Sequence, residues 1–382
     1  MADEVMARID RLGVELARAA ARRSSDYLRQ ALAGGAYVYG AGSFGRRVVR
    51  QLEAQGFGCI GIVDRNANGL AASLGGIPVL HPDRLDKELC AGRVLIVGVF
   101  NPFNDLGEIV RAMRPLGFAE IFWGADLPDA LGSSFNDFWL SGRAPLAEAF
   151  VSIRETYARL ADEVSRKTFE SVLRFRALDG DQPDPAPDLV TQYLPPDLPL
   201  FDRPISFLDG GAYDGDTYRS LRAGGVDIEA WHAFEPDPDN FTRLISFAAS
   251  CGGALSLIPC GLAERTGQVY FSAGRDTGSR IAAEADSTIA IQCMAIDEAF
   301  INVPFDYVKL DIEGAELSAL DGMRRMIARY KPRLAVSAYH RPEDLWEIPL
   351  KLKALLPDSD IYLRQHQQNT FDIVAYAVVA NR

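Results

Sequence analysis

The sequence lacks any long uncharged apolar run, since no stretch approaches the roughly 18 apolar residues that a membrane-spanning helix needs. Its first ten residues, MADEVMARID, are acidic and amphipathic, which is unlike a secretory signal. We therefore expect a cytoplasmic protein without a membrane span. The amphipathic start is typical of a packing helix, and it would also suit a homodimer contact.

Cysteine pairs, basic residues relative to acidic ones, and histidines are also scarce. The five cysteines are scattered without a CxxC pair, which disfavours a disulfide framework or a cysteine zinc site. The formal net charge is −12, which argues against a nucleic-acid partner because a phosphate backbone attracts basic surfaces. Only four histidines occur, so a histidine at a strand end is informative.

The 382 residues with 48% apolar content are enough for two globular domains. Both halves alternate strand and helix patterns, which predicts an α/β fold of two doubly wound domains. The predicted segments are an N-terminal helical segment (1–34), a Rossmann-like domain (35–130), connecting helices (131–178), a linker (179–204) and a second domain (205–382). The linker holds seven of the 21 prolines and six aspartates, a composition typical of an extended connection.

The Rossmann-like prediction rests on a glycine motif in its proper context. A strand at 36–39 is followed by the turn Gly40-x-Gly42-x-x-Gly45 and a helix, and the next strand ends in Asp64. This order is typical of a dinucleotide-binding unit, although such glycines can also serve packing alone. The predicted nucleotide-site residues are Gly40, Gly42, Ser43, Phe44, Gly45 and Asp64.

The second domain opens with the run ISFLDGGAYDGDT at 205–217, an apolar strand that breaks into glycines. Glycine allows the positive φ angles of a sharp turn into a helix. The following strand ends in Glu235, 24 residues after Gly211. An acidic residue at about 20 positions past such a turn is placed to bind ribose hydroxyls. The pattern predicts a nucleoside site.

Charged side chains mark the ends of later strands. Residues 307–312 read as a strand with Lys309 and Asp311 at a period of two, and Glu313 would share their face if the strand continued. Charges at the end of a central strand favour a site in the crevice there. His340 and His366 also follow strands, and a neutral imidazole there would be a general base near neutral pH.

Together these motifs resemble the FkbM family of S-adenosylmethionine-dependent methyltransferases. The resemblance is carried by DGGAYDGDT, FEP at 234–236, CGLAERTG at 260–267 and DYVKLDIEGAELSALDG at 306–322. It implies a class I, seven-stranded sheet, with Glu235 on the cofactor ribose and Asp311 near the sulfonium. The predicted cofactor-binding residues are Asp209, Gly210, Gly211, Tyr213, Gly215, Glu235, Cys260, Gly261 and Asp311.

The resemblance predicts an O-methyltransferase acting on a hydroxyl of a sugar, a nucleotide sugar or a glycan. The predicted catalytic residues are Lys309, Asp311, Glu313, His340 and His366. We predict no metal ligand, but a divalent ion held by Asp311, Glu313 and the two histidines stays an alternative. Two other functions also stay open: an NAD(P)-dependent oxidoreductase that uses the N-terminal motif, and a non-catalytic nucleotide-binding protein.

Overall fold

The computed structural model describes residues 2–135, 137–178, 186–188, 190–199, 201–272, 280–281 and 289–379. The chain divides into two compact units. Unit 1 takes the described residues of Met1–Arg154, Lys167–Pro187 and Gln367–Phe371, and unit 2 those of Glu155–Arg166, Asp188–His366 and Asp372–Arg382. The domain boundaries given above stay predictions, and residues 179–185, 189 and 200 of the predicted linker lie outside the described residues.

The helices of the first half are α1 (Ala2–Arg22), α2 (Ser25–Leu32), α3 (Ser43–Ala54), α4 (Lys87–Cys90), α5 (Leu106–Met113), α6 (Asp126–Leu131), α7 (Arg143–Glu148), α8 (Phe150–Arg159) and α9 (Glu163–Ala177). The strands are β1 (Ala36–Tyr39), β2 (Cys59–Val63), β3 (Ser73–Leu74), β4 (Ile77–Leu80), β5 (Val94–Val97) and β6 (Glu120–Phe122). The short β3–β4 hairpin was not identified from the sequence, because Pro78 interrupts its apolar pattern.

The sheet of unit 1 has the order β3-β4-β2-β1-β5-β6. All neighbours are parallel except β3 and β4. The central strands β1 and β5 are four-residue apolar runs buried along their whole length, as expected for parallel strands covered on both faces. The strand order places β1 and β5 on either side of a topological switch, which confirms the Rossmann-like prediction.

The strands of the second half are β7 (Ile205–Gly210), β8 (Ile228–Phe234), β9 (Ala254–Ile258), β10 (Gly261–Leu262), β11 (Gly267–Ser272), β12 (Arg280–Ile281), β13 (Ile289–Met294), β14 (Tyr307–Leu310), β15 (Arg333–Ser337), β16 (Ser359–Gln365) and β17 (Ile373–Val379). The helices are α10 (Asp216–Ala223), α11 (Pro238–Ala248), α12 (Ile296–Ala299), α13 (Glu316–Asp321), α14 (Arg324–Tyr330) and α15 (Asp344–Leu355). None of the helices that the structure describes is long and apolar enough to cross a membrane.

The main sheet of unit 2 has seven strands in the order β16-β17-β15-β14-β7-β8-β9. Strands β7, β8, β9, β14 and β15 are parallel, and β17 runs antiparallel to both β15 and β16. This is the seven-stranded sheet that the resemblance implied. The chain leaves β7 toward β8 on one side and later returns to β14 on the other. Ligands of such sheets bind where the strand order reverses, at the carboxyl ends.

A separate small sheet has the order β10-β13-β11-β12. Its strands β11 and β13 are antiparallel, with Gly267 opposite Cys293 and Phe271 opposite Ile289. The small sheet lies in the connection between β9 and β14, so it does not interrupt the central strands that carry the site.

Aromatic side chains fill the core around β7. The ring of Phe207 stacks on Tyr307 of β14 at a centroid distance of 5.4 Å. Trp231 of β8 packs on Tyr218 of α10 at 4.4 Å. The first contact joins β7 to β14 and the second joins β8 to α10, and large buried rings dominate such packing. Tyr193 and Leu198 of the predicted linker are also buried in this core.

Candidate active site

The turn after β7 has the backbone that its glycines predict. Gly211 has φ +73° and Gly215 has φ +88°, conformations that a side chain disfavours. A Cβ on Gly211 would lie 2.0 Å from the carbonyl oxygen of Asp311, and one on Gly215 would lie 2.3 Å from the ring of Phe247. Both glycines are therefore required by packing, and the turn lies directly against the end of β14.

The ammonium group of Lys309 on β14 holds this turn in place. Its Nζ donates hydrogen bonds to the carbonyl oxygens of Gly210 (3.1 Å) and Gly211 (2.6 Å), and lies 3.3 Å from Oδ1 of Asp209. The side chain is 2% exposed. Burial lowers the pKa of Lys309, but Asp209 and Asp311 outweigh it and raise the pKa. A charged ammonium thus lies under the glycine turn.

Asp209 faces protein groups alone. Its Oδ2 accepts a hydrogen bond from Nε1 of Trp231 at 3.2 Å, its Oδ1 faces Lys309, and it has no exposed surface. The structure therefore places Asp209 behind the turn, although the sequence analysis put it among the cofactor-binding residues. Its contacts hold Lys309 in place.

Glu235 follows β8 and lies beside the same turn. Its Oε2 accepts from the backbone N–H of Tyr213 and its Oε1 from that of Asp237, each at 2.9 Å. Asp237 in turn caps α11. Burial raises the pKa of Glu235, and the two backbone donors oppose that rise. The carboxylate is thus held in one orientation next to Tyr213, whose side chain is 48% exposed.

The strand that carries Lys309 ends at Leu310, earlier than predicted. The chain then turns through Glu313 (φ +58°) and Gly314 (φ +96°). The predicted strand over residues 307–312 is therefore two residues too long. Because it does not continue, Lys309 points to the β7 turn, whereas Asp311 and Glu313 lie beyond the strand. The turn is held by Oε1 of Glu316, which accepts from the backbone N–H of Ile312 at 2.9 Å.

His340 follows β15 and lies among carboxylates. Its Nδ1 is 2.8 Å from Oε1 of Glu316, and its Nε2 is 3.3 Å from Oδ1 of Asp311 and 3.7 Å from Oε2 of Glu313. Burial lowers the pKa of His340, but the three carboxylates outweigh it and raise the pKa to about 10. The imidazole is therefore protonated at neutral pH, contrary to the neutral base expected from the sequence.

Asp311 is the ionised group at the mouth of this cluster. Burial raises its pKa, but Lys309 and His340 outweigh it, and the net pKa is lowered. Its Oδ2 accepts a hydrogen bond from the hydroxyl of Tyr193 at 2.9 Å. Its side chain is 28% exposed, but Oδ1 itself is buried beside His340.

His366 is not part of this cluster. Its Nδ1 is 2.9 Å from the carbonyl oxygen of Asp188, and its Nε2 is 2.8 Å from the hydroxyl of Tyr376. Burial lowers its pKa, and the contact with Asp188 opposes that shift. The structure thus gives both ring nitrogens protein partners, and the histidine packs between the linker and the sheet edge.

Cys260 and Gly261 lie after β9. The backbone N–H of Cys260 donates to Ile258 at 2.8 Å, and Gly261 opens β10, where a Cβ would lie 2.9 Å from Sγ of Cys293. Burial raises the pKa of the Cys260 thiol, so the thiol is neutral at physiological pH. Gly261 is needed for the packing of the small sheet.

Comparison with protein families decides the class of this site. Residues 209–369 match the model of the methyltransferase FkbM domain. This part of the chain is an FkbM methyltransferase domain. The match includes the β7 turn, Glu235, Lys309, Asp311 and His340, and it confirms the predicted methyltransferase.

The whole chain is similar in fold to a crystal structure of a methyltransferase FkbM from Methylobacillus flagellatus KT. The two share 24% sequence identity with a TM-score of 0.75, and the similarity covers 98% of each chain. No curated protein matches the sequence. At this identity the structural similarity speaks for the fold of both halves.

Several residues of the FkbM domain site were not singled out from the sequence. Glu316 was quoted only as part of the 306–322 run, without a role, and Tyr193 lies in the segment predicted to be a linker. Asp344 and Asp372 are also close: burial and Glu316 raise the pKa of Asp344 to about 7, and burial and Asp311 raise that of Asp372 to about 6. The signal available for Glu316 was its position in the DxEGxE run, three residues after Glu313.

The N-terminal glycine motif lies outside the FkbM domain. A Cβ on Gly45 would lie 2.0 Å from the carbonyl oxygen of Gly40, so Gly45 serves helix–strand packing. A Cβ on Gly42 would meet no described atom within 4 Å. Asp64 accepts backbone hydrogen bonds from Ala41 and Asn66, each at 2.8 Å. Ser43 and Phe44 form the first turn of α3.

We predict that His340 of the metal-free FkbM domain keeps its proton well above neutral pH. Heteronuclear NMR of the histidine side chains in EDTA-treated protein should show His340 titrating near pH 10, because its neighbouring carboxylates stabilise the imidazolium. Glu316→Gln should lower this pKa by removing the carboxylate at 2.8 Å.

The same protonation stabilises the fold. The folded pKa of about 10 exceeds the ordinary value of 6.5, so the stabilisation is complete below about pH 6.5 and is lost as the pH rises toward 10. A wild-type His340 that titrates near pH 6.5 would contradict the described carboxylate environment.

Proposed function

We propose that the FkbM domain transfers a methyl group from S-adenosylmethionine to a hydroxyl of a neutral sugar or glycan. The observation that carries the proposal is the pairing of an oriented Glu235 with an accessible, ionised Asp311 on opposite sides of the β7 turn. One carboxylate suits a ribose and the other suits an acceptor hydroxyl, at the edge where ligands of such sheets bind.

The residues around the β7 turn fit the cofactor. A carboxylate has about four acceptor positions, and backbone N–H groups occupy one on each oxygen of Glu235. Oε1 also accepts from Nδ2 of Asn240 at 3.5 Å, so the acceptor position left for a ribose hydroxyl lies mainly on Oε2. The exposed Tyr213 and the backbone of Gly210–Gly215 would line the rest of the cofactor. When bound, S-adenosylmethionine supplies an electrophilic methyl group on a sulfonium.

Asp209 and Lys309 act indirectly in this proposal. They have no exposed surface for a ligand, but Lys309 fixes the carbonyl groups of the turn that the cofactor would contact. We therefore assign both to positioning. Cys260 and Gly261 are proposed to border the cofactor only with their backbone, where the chain continues after β9.

Asp311 is proposed to receive the proton of the acceptor hydroxyl. His340 holds a proton already, so it suits the stabilisation of Asp311 and Glu313 better than proton abstraction. Asp311 is ionised, and its Oδ1 has no hydrogen-bond partner among the described residues. With S-adenosylmethionine bound, this carboxylate would receive the O–H proton of the acceptor as its oxygen is methylated, in line with general-base catalysis.

The charge of the site favours a neutral acceptor. Asp311 and Glu313, exposed by 28% and 29%, form its accessible carboxylates, and the chain carries a net charge of −12. A diphosphate near these groups would be repelled, whereas sugar hydroxyls would donate hydrogen bonds to them. We therefore favour a neutral sugar or glycan over a nucleotide sugar at the reaction centre.

A nucleotide in unit 1 is a second candidate function. The specific observation is Gly42, where the space that a Cβ would take is open at the start of α3. Backbone N–H groups at a helix start suit a phosphate. A nucleotide is therefore proposed to bind at the predicted site, which consists of Gly40, Gly42, Ser43, Phe44, Gly45 and Asp64. If this site is catalytic, the reaction would be an NAD(P)-dependent oxidation.

Calorimetric titration separates these functions. We expect S-adenosylhomocysteine to bind the wild type, and Glu235→Ala to weaken it at least about tenfold, since hydrogen bonds to a charged group contribute about 1.5–3 kcal/mol. Glu229→Gln, which removes an exposed charge elsewhere on β8, should bind normally. NADH binding should be lost in Gly42→Val without a change for S-adenosylhomocysteine.

The titration has a clear contrary outcome. Binding of NADH alone, with Glu235→Ala indistinguishable from wild type, would favour the oxidoreductase and contradict the proposed cofactor site. The open space at Gly42 makes its valine variant a fair test, because no described atom obstructs the new side chain.

The acceptor role of Asp311 is tested by transfer of labelled methyl from S-adenosylmethionine to a panel of neutral oligosaccharides and nucleotide sugars. We expect label on neutral acceptors and a rate reduced about 10²–10⁴-fold in Asp311→Asn, the usual contribution of a general base. Transfer by Asp311→Asn at the wild-type rate would remove Asp311 from the mechanism. Transfer to nucleotide sugars alone would overturn the preference for neutral acceptors.

A further inference from the structure

We propose that the FkbM domain binds a divalent cation between His340, Asp311 and Glu313, with Glu316 and Tyr193 orienting the ligands. The task of the ion rests on the proposed methyl transfer, but the site itself is argued from the described contacts. The ion would take the place that the sequence alternative assigned to Asp311, Glu313, His340 and His366, without His366.

His340 and Asp311 are the two central ligands, and each has one atom paired with a neighbouring side chain and a second atom that faces the other ligand. Nδ1 of His340 pairs with Glu316, and Oδ2 of Asp311 accepts from the hydroxyl of Tyr193. The atoms that remain toward each other are Nε2 of His340 and Oδ1 of Asp311, 3.3 Å apart. A histidine oriented by a carboxylate on its other nitrogen is the usual arrangement of a metal ligand.

The spacing fits a small divalent ion. Mg²⁺ binds its ligands at 2.0–2.1 Å in octahedral geometry, so adjacent ligand atoms lie about 3 Å apart. The distances from Nε2 of His340 are 3.3 Å to Asp311 and 3.7 Å to Oε2 of Glu313. Small side-chain rotations would close both. Two carboxylate oxygens suit Mn²⁺ or Mg²⁺, and the imidazole nitrogen adds a ligand that suits a transition metal.

Glu316 provides a second observation that a cation belongs here. It is 1% exposed, and its Oε2 has no hydrogen-bond partner among the described residues. Ligand atoms of Asp311, Glu316 and His340 all lie within 4.8 Å of one another. A buried carboxylate oxygen without a donor is costly, and an ion in this cluster would offset part of that cost through the imidazole that Glu316 orients.

The surrounding charge points the same way. Asp344 is 1% exposed, and it interacts with both Glu316 and His340. Asp372 interacts with Asp311 and His340. The nearby ammonium of Lys309 is already committed to Asp209 and the two glycine carbonyls. Three carboxylates thus lie within 4 Å of one imidazole, and the partly protonated Asp344 and Asp372 add negative charge nearby, which a divalent ion would offset.

The ion would act on the acceptor. A hydroxyl oxygen bound to a divalent ion becomes more acidic, so it would lose its proton more readily to a carboxylate oxygen of the cluster that does not bind the ion. The ion would also fix the oxygen in line with the methyl group, as displacement requires. A histidine binds a metal through a neutral ring nitrogen, so binding releases the His340 ring proton.

Electron paramagnetic resonance with Mn²⁺ tests the site on the full chain after removal of metals with EDTA. Without any acceptor, we expect one Mn²⁺ per chain. Asp311→Asn and Glu313→Gln should each weaken binding more than tenfold, and Glu316→Gln about 10–100-fold, as expected for an orienting group. Glu229→Gln carries the same loss of charge outside the cluster and should bind normally.

The contrary results are distinct. If the wild type binds no Mn²⁺ at millimolar concentration but still binds S-adenosylhomocysteine, the ion is refuted and methyl transfer stands. If Mn²⁺ binds equally to Asp311→Asn and Glu313→Gln in protein with wild-type thermal unfolding, the ion lies elsewhere and the proposed site is wrong. Mn²⁺ binding as expected, with no S-adenosylhomocysteine binding, would support the ion and refute the cofactor proposal.

Discussion

The buried ammonium of Lys309 is the interaction on which the rest of the site depends. Its contacts join the last residue of β7, the first residue of the glycine turn and the carboxylate of Asp209. An ion pair in a low-dielectric interior is weak evidence for stability by itself, because desolvation offsets the attraction. Here the ammonium also donates hydrogen bonds to two backbone carbonyls, so it fixes the turn after β7 against β14.

A second constraint is the crowding of carboxylates beyond β14. The carboxylates of Asp311, Glu313 and Glu316 lie within 4 Å of His340, and their negative charge demands a positive partner. In the metal-free chain the protonated imidazole of His340 supplies the positive charge. His340 therefore has the position expected of a general base but is protonated, so it cannot accept a proton. The same crowding is the basis for the proposed cation.

Much of this architecture follows from sequence patterns. The apolar runs of β7, β8 and β14 and the glycines after β7 are local signals, and their expected positions agree with the structure. The end of β14 was missed because a period-two pattern assumes a straight strand, whereas Glu313 and Gly314 turn the chain through positive φ.

The protonation of His340 could not be predicted, because it depends on Glu316, which lies 24 residues away in sequence. Tyr193 shows the same limit. A proline-rich segment favours an extended connection, and only the fold brings that tyrosine to Asp311. His366 resembled a site residue by its position after a strand, yet its ring faces Asp188 and Tyr376. Local sequence patterns therefore located the edge of the sheet where the site lies. Long-range contacts determine which side chains come together at that edge.

Lys309 sets the geometry of the β7 turn that is proposed to bind the cofactor, and one double variant tests this directly. Lys309→Met alone should destabilise the fold by about 3–5 kcal/mol, because Asp209 is left buried and uncompensated. Adding Asp209→Asn should restore most of that stability, yet calorimetry should still show weak binding of S-adenosylhomocysteine, since the Gly210 and Gly211 carbonyls have lost their donor. Wild-type affinity in the double variant would contradict the account.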